Sequence, residues 1–129
     1  MNTKWKIIYY EDENSNSEIY EFIENLRINE QAKLSGWLSV LQEKGPELPR
    51  PYSDLLEDGI HELRIKLKGN QVRILYFFCF KEYIILTHSF IKRTDKVPEK
   101  EIKKAKKIRE NFLKRFSEKT IKELYNENI

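Results

Sequence analysis

The sequence predicts an α+β fold in the order β-α-α-β-β-β-α, with a small antiparallel sheet packed against a helical hairpin plus a C-terminal helix. Three observations predict it: apolar residues recur at helical spacing in three segments, β-forming residues fill four others, and Gly, Pro and Asn separate the segments. A chain of 129 residues is expected to form one domain with one core. We expect that domain at residues 1–116, and a helical extension or tail at 117–129.

The N-terminal half is predicted to hold one strand and the helical hairpin. Residues 4–10 (KWKIIYY) are rich in β-forming residues. Ser15-Asn16-Ser17-Glu18 has the form of a capping box, and apolar residues at i, i+3, i+4 and i+7 follow from Ile19. Asn29 is expected to cap the second helix, which Gly45-Pro46 ends.

The C-terminal half is predicted to hold three strands, at 60–67, 72–80 and 83–90, and one long helix that begins at Pro98. The links between these strands are short, so the three strands should form an antiparallel meander. In the first link, Gly69 and Asn70 are expected to tolerate positive φ angles. The preceding stretch, 46–59, contains three prolines and no periodicity, and it is predicted to be a loop.

The net charge of +3 conceals a strong asymmetry along the chain. Residues 1–60 carry 6 Lys/Arg and 12 Asp/Glu, whereas residues 61–115 carry 16 and 6. A segment with a net charge of +10 favours a polyanionic partner such as RNA. A solvated, lysine-rich surface is the alternative interpretation.

Composition excludes several classes of protein. No apolar run approaches the ~20 residues that span a bilayer, and the N-terminal run is too short and too acidic for a signal peptide. A cytoplasmic protein without a membrane partner is therefore expected. Cys79 is the only cysteine, so no disulfide can form within the chain. One Cys and two His do not provide zinc-ligand spacing, and no glycine-rich phosphate loop is present, so no metal or cofactor is predicted.

The most informative stretch is 59–94, where cations lie inside the predicted strands. Arg64 and Lys66 share one face of their strand because side chains alternate between faces. Arg73 lies within an apolar run, and His88 ends another. Each has an ordinary alternative: the arginines could pair with Glu62 or with the acidic helices, and the histidine could be a hydrogen-bonded packing residue.

Together these cations are suited to cleaving RNA without a metal. The 2′-hydroxyl attacks the adjacent phosphorus, the 5′-oxygen leaves, and positioned Arg and Lys side chains stabilise the extra negative charge of the transition state. His88, with an ordinary pKa of about 6.5, or Lys66 could transfer the protons.

Three segments resemble a known family: GIHELRIKL, QVRILYFF and ILTHSFIKRTDKVPEKEIKKAKKIRENFLKR. They are similar to the phage-derived, HigB-type branch of the RelE/ParE toxin superfamily, which shows an E-L-R strand, an R-I/V-L-Y-F strand, an L-H-x-F-x-K-K-T exit and a proline-initiated helix. The resemblance covers about residues 59–115. It implies a RelE/ParE-like fold, mRNA cleavage on the ribosome without a cofactor, and a cognate antitoxin, often with a helix-turn-helix domain. DNA would be contacted only through that antitoxin.

The resemblance also implies roles for individual residues. Arg64 and Lys66 match basic catalytic residues of the family, and Arg73 matches its phosphate-binding arginine. His88 lies in the L-H-x-F motif, and Lys92 lies in the K-K-T motif. Cations expected to dock on ribosomal RNA are Lys68, Arg93, Lys96, Lys103, Lys106 and Lys107. The chain departs from the family pattern at Ser89, a frequent glycine, and at Val97, a frequent capping threonine. ParE relatives share the fold but act on DNA gyrase, so a non-enzymatic gyrase poison or a phage-derived RNA-binding protein is the rival hypothesis.

Overall fold

The computed structural model describes residues 5–125, which form five strands, four α-helices and a short 3-10 turn. The strands are β1 Lys6–Tyr9, β2 Ser53–Glu57, β3 Ile60–Leu67, β4 Asn70–Cys79 and β5 Tyr83–Ile91. The helices are α1 Glu18–Glu24, α2 Ile28–Lys44, α3 Glu99–Arg115 and α4 Glu118–Tyr125. The predicted α+β class is confirmed.

The strands form a single sheet in the order β1-β5-β4-β3-β2. Strands β2 to β5 pair antiparallel, which confirms the predicted meander, whereas β1 pairs parallel to β5 with Lys6 opposite Tyr83. The prediction of a loop over 46–59 was wrong for β2. That strand is short, lies at the sheet edge and follows three prolines. Its sequence SDLLE lacks a clear apolar alternation, and Leu55 is exposed.

Two predicted helix caps were wrong. Helix α1 is capped by Ser17, whose Oγ accepts a hydrogen bond from the Tyr20 backbone N–H at 3.1 Å, so the cap lies two residues beyond the predicted Ser15. Asn29 lies inside α2, where the Glu30 carboxylate instead accepts the Arg27 N–H at 3.0 Å. The predicted end of α2 at Gly45 is confirmed.

Two tight turns hold the meander together. Lys68 and Gly69 connect β3 to β4 with φ angles of 52° and 78°, and Phe80 and Lys81 lie between β4 and β5 at 55° and 60°. Two successive positive φ angles match the right-handed twist of the strands they join. Asn70, which was expected to take positive φ, is instead the first residue of β4.

The sheet separates two apolar clusters. One packs α1 and α2 against one face of the sheet around Leu34, Leu63 and Tyr76, and the other packs α3 and α4 against the opposite face. In the second cluster α4 contributes Ile121, which is fully buried. No helix within residues 5–125 is long and apolar enough to cross a membrane.

Candidate active site

The strand register brings the predicted cations together on the face of the sheet that also carries α3. Arg64 lies opposite Arg73 across β3 and β4. In the next row Lys66 lies opposite Gln71, whose backbone carbonyl accepts the Lys92 N–H at 2.8 Å. Arg64, Lys66 and Arg73 therefore lie on β3 and β4, and Lys92 directly follows β5, so the four cations fall in two neighbouring rows of one sheet face.

Glu62 is a buried carboxylate at the centre of this cluster. Its side chain is 3% exposed, and its Oε2 accepts hydrogen bonds from Arg64 Nε at 3.0 Å and Nη2 at 2.9 Å. Its Oε1 lies 3.1 Å from Arg73 Nε. Arg64 and Arg73 therefore do pair with Glu62, as the alternative interpretation expected, and both also belong to the cation cluster.

The network continues onto β2. Arg64 Nη2 lies 3.3 Å from Asp54, and Arg50 holds the same carboxylate through two hydrogen bonds of 3.0 and 2.8 Å. The hydrogen bond from Arg50 lowers the pKa of Asp54, although its partial burial opposes that shift. Three guanidinium groups thus share two carboxylates, so the cluster keeps a positive charge before its lysines are counted.

The Arg73 guanidinium is almost buried, and only one of its partners is easily replaced. Burial lowers the pKa of Arg73, and Glu62 opposes that shift. Nη1 donates to the Val72 carbonyl at 3.2 Å, and Nη2 donates to the side-chain oxygen of the exposed Gln71 at 3.1 Å. Nε and Glu62 Oε1 are close, but poorly aligned, and neither buried atom makes a hydrogen bond.

A shallow cleft of about 210 Å³ opens above this cluster. It is lined by Arg64, Ile65, Lys66, Gln71 and Arg73. An anion in this cleft would meet fixed guanidinium groups and an exposed ammonium group. Because Gln71 is neutral and exposed, an anion oxygen could replace its amide oxygen on Arg73 without leaving a charge unpaired.

His88 lies below the surface of this face and is only 1% exposed. Its Nε2 is 3.0 Å from Glu101 Oε1 on α3, and its Nδ1 is 3.0 Å from the Thr87 hydroxyl. Burial lowers the pKa of His88, so the neutral ring is favoured; the hydrogen bond to Glu101 opposes this shift. A neutral ring that donates from Nε2 to Glu101 leaves Nδ1 as an acceptor, and the Thr87 hydroxyl beside it donates its one proton to the Leu75 carbonyl at 3.0 Å.

The cations expected to dock on RNA are not equivalent. Lys106 is committed to Glu57 and to Asp58, the latter at 2.8 Å, at the turn after β2. The other five, which are exposed, are Lys68, Arg93, Lys96, Lys103 and Lys107. Within the described residues, no group of three His, Cys, Asp or Glu side chains could hold a metal ion.

Comparison with known families identifies the family of this chain. The sequence model of the family described as phage derived protein Gp49-like (DUF891) matches residues 21–110, more than two thirds of the chain. The chain belongs to this family. The Gp49-like proteins are a RelE/HigB-like toxin family associated with toxin–antitoxin systems, which indicates a cognate antitoxin as partner. A search of curated proteins gives no match.

In this Gp49-like chain, sequence reasoning missed the two residues that complete the network. Asp54 and Arg50 lie in the stretch predicted to be a loop, and a loop has no strand register that would predict their position beside Arg64. The β2 sequence SDLLE gives no clear apolar alternation that could have indicated this strand. The catalytic and RNA-binding roles given to individual residues stay predictions.

The stability of the Gp49-like chain should fall as pH decreases through the histidine range. Burial lowers the pKa of both His88 and His61, the latter stacked on Tyr76 at 5.3 Å. The histidines of the unfolded chain have a pKa of about 6.5, so below that pH the unfolded chain binds more protons than the folded chain. The stabilisation is therefore complete above about pH 6.5 and is lost as the pH falls through the lower pKa values of the folded chain. Urea unfolding at pH 7.5, 6.5 and 5.5 measures this slope. His61→Phe keeps the aromatic contact and should flatten the decline; an unchanged slope would contradict the assignment to His61.

Proposed function

We propose that the chain is the toxin of a type II toxin–antitoxin pair and cleaves mRNA on the ribosome without a metal ion. The observation that carries this proposal is the placement of Arg64, Lys66, Arg73 and Lys92 in two adjacent rows beside a shallow cleft. A poison that acts only by protein contact does not require such a cluster on rigid strands. The cluster therefore favours the nuclease over the gyrase poison.

Phosphate binding is proposed to begin at the exposed side of the cleft. A phosphate oxygen replaces the Gln71 amide oxygen on Arg73 Nη2, while Arg64 and Lys66 approach the other oxygens. Glu62 hydrogen-bonds Arg64 through Oε2 and provides the buried counter-charge 3.1 Å from Arg73 Nε. Donors that are fixed before the reaction stabilise the developing charge of the transition state without a reorganisation cost.

Proton transfer is proposed to fall to Lys66, which is exposed at the cleft. His88 is buried and already engaged at both ring nitrogens, so it does not reach the cleft in this structure. Its contact with Glu101 instead ties β5 to the start of α3. This contact positions the segment between these elements, which carries Lys92 and Arg93.

The test of this function is induction of the chain followed by two parallel measurements. New 5′ ends of cellular mRNA report cleavage, and gyrase-linked DNA breaks report the rival activity. We expect new mRNA ends without DNA breaks. Cleavage of isolated RNA should also persist in EDTA; recovery of activity by added zinc or manganese after chelation would overturn the metal-free mechanism.

Docking on the ribosome should depend on exposed lysines of α3. Lys103→Glu with Lys107→Glu changes two side chains without described partners, and it leaves Lys106 with its carboxylates. We expect weaker ribosome binding and a smaller dependence of the affinity on salt, because fewer phosphate contacts release fewer counterions. Sedimentation with ribosomes across a salt series measures this.

The matched control is Lys44→Glu with Lys119→Glu. Both of these lysines are exposed, on α2 and α4, and the pair makes the same change in net charge. We expect this control to bind more tightly than the α3 variant. Equal loss in both variants would show that net charge, and not the α3 surface, determines binding.

A further inference from the structure

A second surface lies along β1, the sheet edge opposite β2. A groove of about 830 Å³ follows this strand, with α1 and α2 on one side and Tyr125 of α4 also lining it. The uncharged polar side chains that line it are those of Ser17, which caps α1, and of Ser35, Ser39 and Gln42 on α2. This groove shares no residue with the cation cleft.

The floor of the groove includes unpaired strand backbone. Within residues 5–125, β1 pairs only with β5; the Lys6 N–H donates to the carbonyl of Glu82, just before β5, at 2.7 Å, and the Tyr10 N–H donates to the Leu86 carbonyl of β5 at 3.0 Å. Peptide groups alternate in direction along a strand, so those of Ile7 and Tyr9 point away from β5 and into the groove. Such an edge is a template for a further strand.

The groove is acidic. Glu11 and Glu21 line it, and among residues 5–125 no Lys or Arg lines it and neither carboxylate has a side-chain partner. The sequence from residue 11 to 26 contains six Asp/Glu and no Lys/Arg. A surface of this charge repels RNA and attracts a basic polypeptide.

Two aromatic side chains lie beside these carboxylates. Tyr20 and Tyr125 both line the groove, and they are 50% and 49% exposed. Exposed tyrosines provide large apolar contact area with a polar end, which is why they are enriched at the centres of protein interfaces. The groove therefore combines backbone hydrogen-bonding groups, aromatic surface and negative charge in one place.

We propose that this groove is the docking site of an extended, basic segment of the cognate antitoxin, which adds a strand to β1. The identity of the partner rests on the function proposed above, whereas the chemistry of the segment follows from the groove. Its backbone would pair with Ile7 and Tyr9, and its Lys or Arg side chains would lie against Glu11 and Glu21. Docking here leaves the cation cleft uncovered, so binding and cleavage are separable properties of the chain.

The test uses the full chain and the protein encoded beside its gene. Glu11→Lys with Glu21→Lys should weaken binding at least about tenfold, the change expected when close charge pairs at an interface are reversed. Glu24→Lys with Glu43→Lys makes the same change in net charge on α1 and α2, outside the groove, and should change binding about twofold or less. Titration calorimetry at two salt concentrations measures both.

Hydrogen exchange tests strand addition directly. On binding, the amides of Ile7 and Tyr9 should exchange more slowly, while amides of the other edge strand, β2, should not change. Tyr9→Pro removes one outward N–H and should weaken binding more than Tyr9→Ala, which keeps it. Unchanged exchange at Ile7 and Tyr9 in the complex would overturn the proposal.

The remaining outcomes are also decisive. If the partner binds Glu11→Lys/Glu21→Lys as tightly as wild type, the proposal is overturned. If Lys66→Glu abolishes binding instead, the partner covers the cation cleft, and the proposal is again overturned. Absence of any binding to the wild-type chain also overturns it. RNA cleavage by the free chain is measured separately and should be unchanged in Glu11→Lys/Glu21→Lys. If wild type cleaves no RNA but binding still depends on the groove, the proposed nuclease function fails and the docking site stands.

Discussion

Arg73→Ala is expected to lower the rate of RNA cleavage by about 10²–10³-fold while the chain remains folded. The rate falls because a donor aimed at the developing transition-state charge is lost. The fold persists because Glu62 still pairs with Arg64 at 2.9 Å, so no buried carboxylate is left alone. Single-turnover cleavage of an isolated RNA, with circular dichroism of the same sample, measures both properties.

Two further variants make the result specific. Arg73→Lys should also be impaired, because a point charge does not replace the planar guanidinium and its several donors. Arg50→Ala is the matched control: this arginine belongs to the same network through Asp54, but its side chain is 74% exposed and does not line the cleft. A folded Arg73→Ala protein that cleaves at the wild-type rate would remove Arg73 from the mechanism.

Glu62→Ala is expected to cause the largest loss of stability, about 3–5 kcal/mol, because it leaves a buried arginine without its counter-charge. The Arg73 side chain is only 7% exposed, so water cannot replace the carboxylate. Arg64 loses less, because it keeps Asp54 at 3.3 Å. The urea midpoint and slope of equilibrium unfolding measure the change in the free energy of unfolding.

The double variant Glu62→Leu/Arg73→Met identifies the cause. Removing both charges replaces a buried ion pair with apolar contacts, which is often neutral or stabilising, so most of the lost stability should return. If the double variant is as unstable as Glu62→Ala, the loss comes from packing around residue 62 and not from the unpaired charge of Arg73.

Much of this architecture follows from local patterns in the sequence. Alternation placed Arg64 and Lys66 on one strand face, and short links brought that face beside Arg73 in the meander. The network around Asp54 was not predictable in the same way. It depends on β2, a short edge strand that hydrogen bonds with β3 hold in place, and edge strands need little apolar alternation.

The burial of His88 depends on a feature that alternation cannot show. Leu75 lies opposite His88, but the next residue, Tyr76, lies opposite Leu86, so Thr87 is an extra residue in β5. Without this bulge, the alternation of Ile84 and Leu86 would turn His88 toward the helical hairpin. The bulge turns it toward α3 and Glu101 instead.

The parallel pairing of β1 with β5 has a consequence for the order of folding. Strands β3, β4 and β5 are joined by turns of two or three residues, whereas Lys6 and Tyr83 meet across 77 positions of the chain. Closing a long loop costs more conformational entropy than closing a tight turn, and contacts between distant residues slow folding. During synthesis β1 leaves the ribosome first, yet it must wait for β5 before it can pair. We therefore expect the meander to form the folding nucleus and β1 to join late.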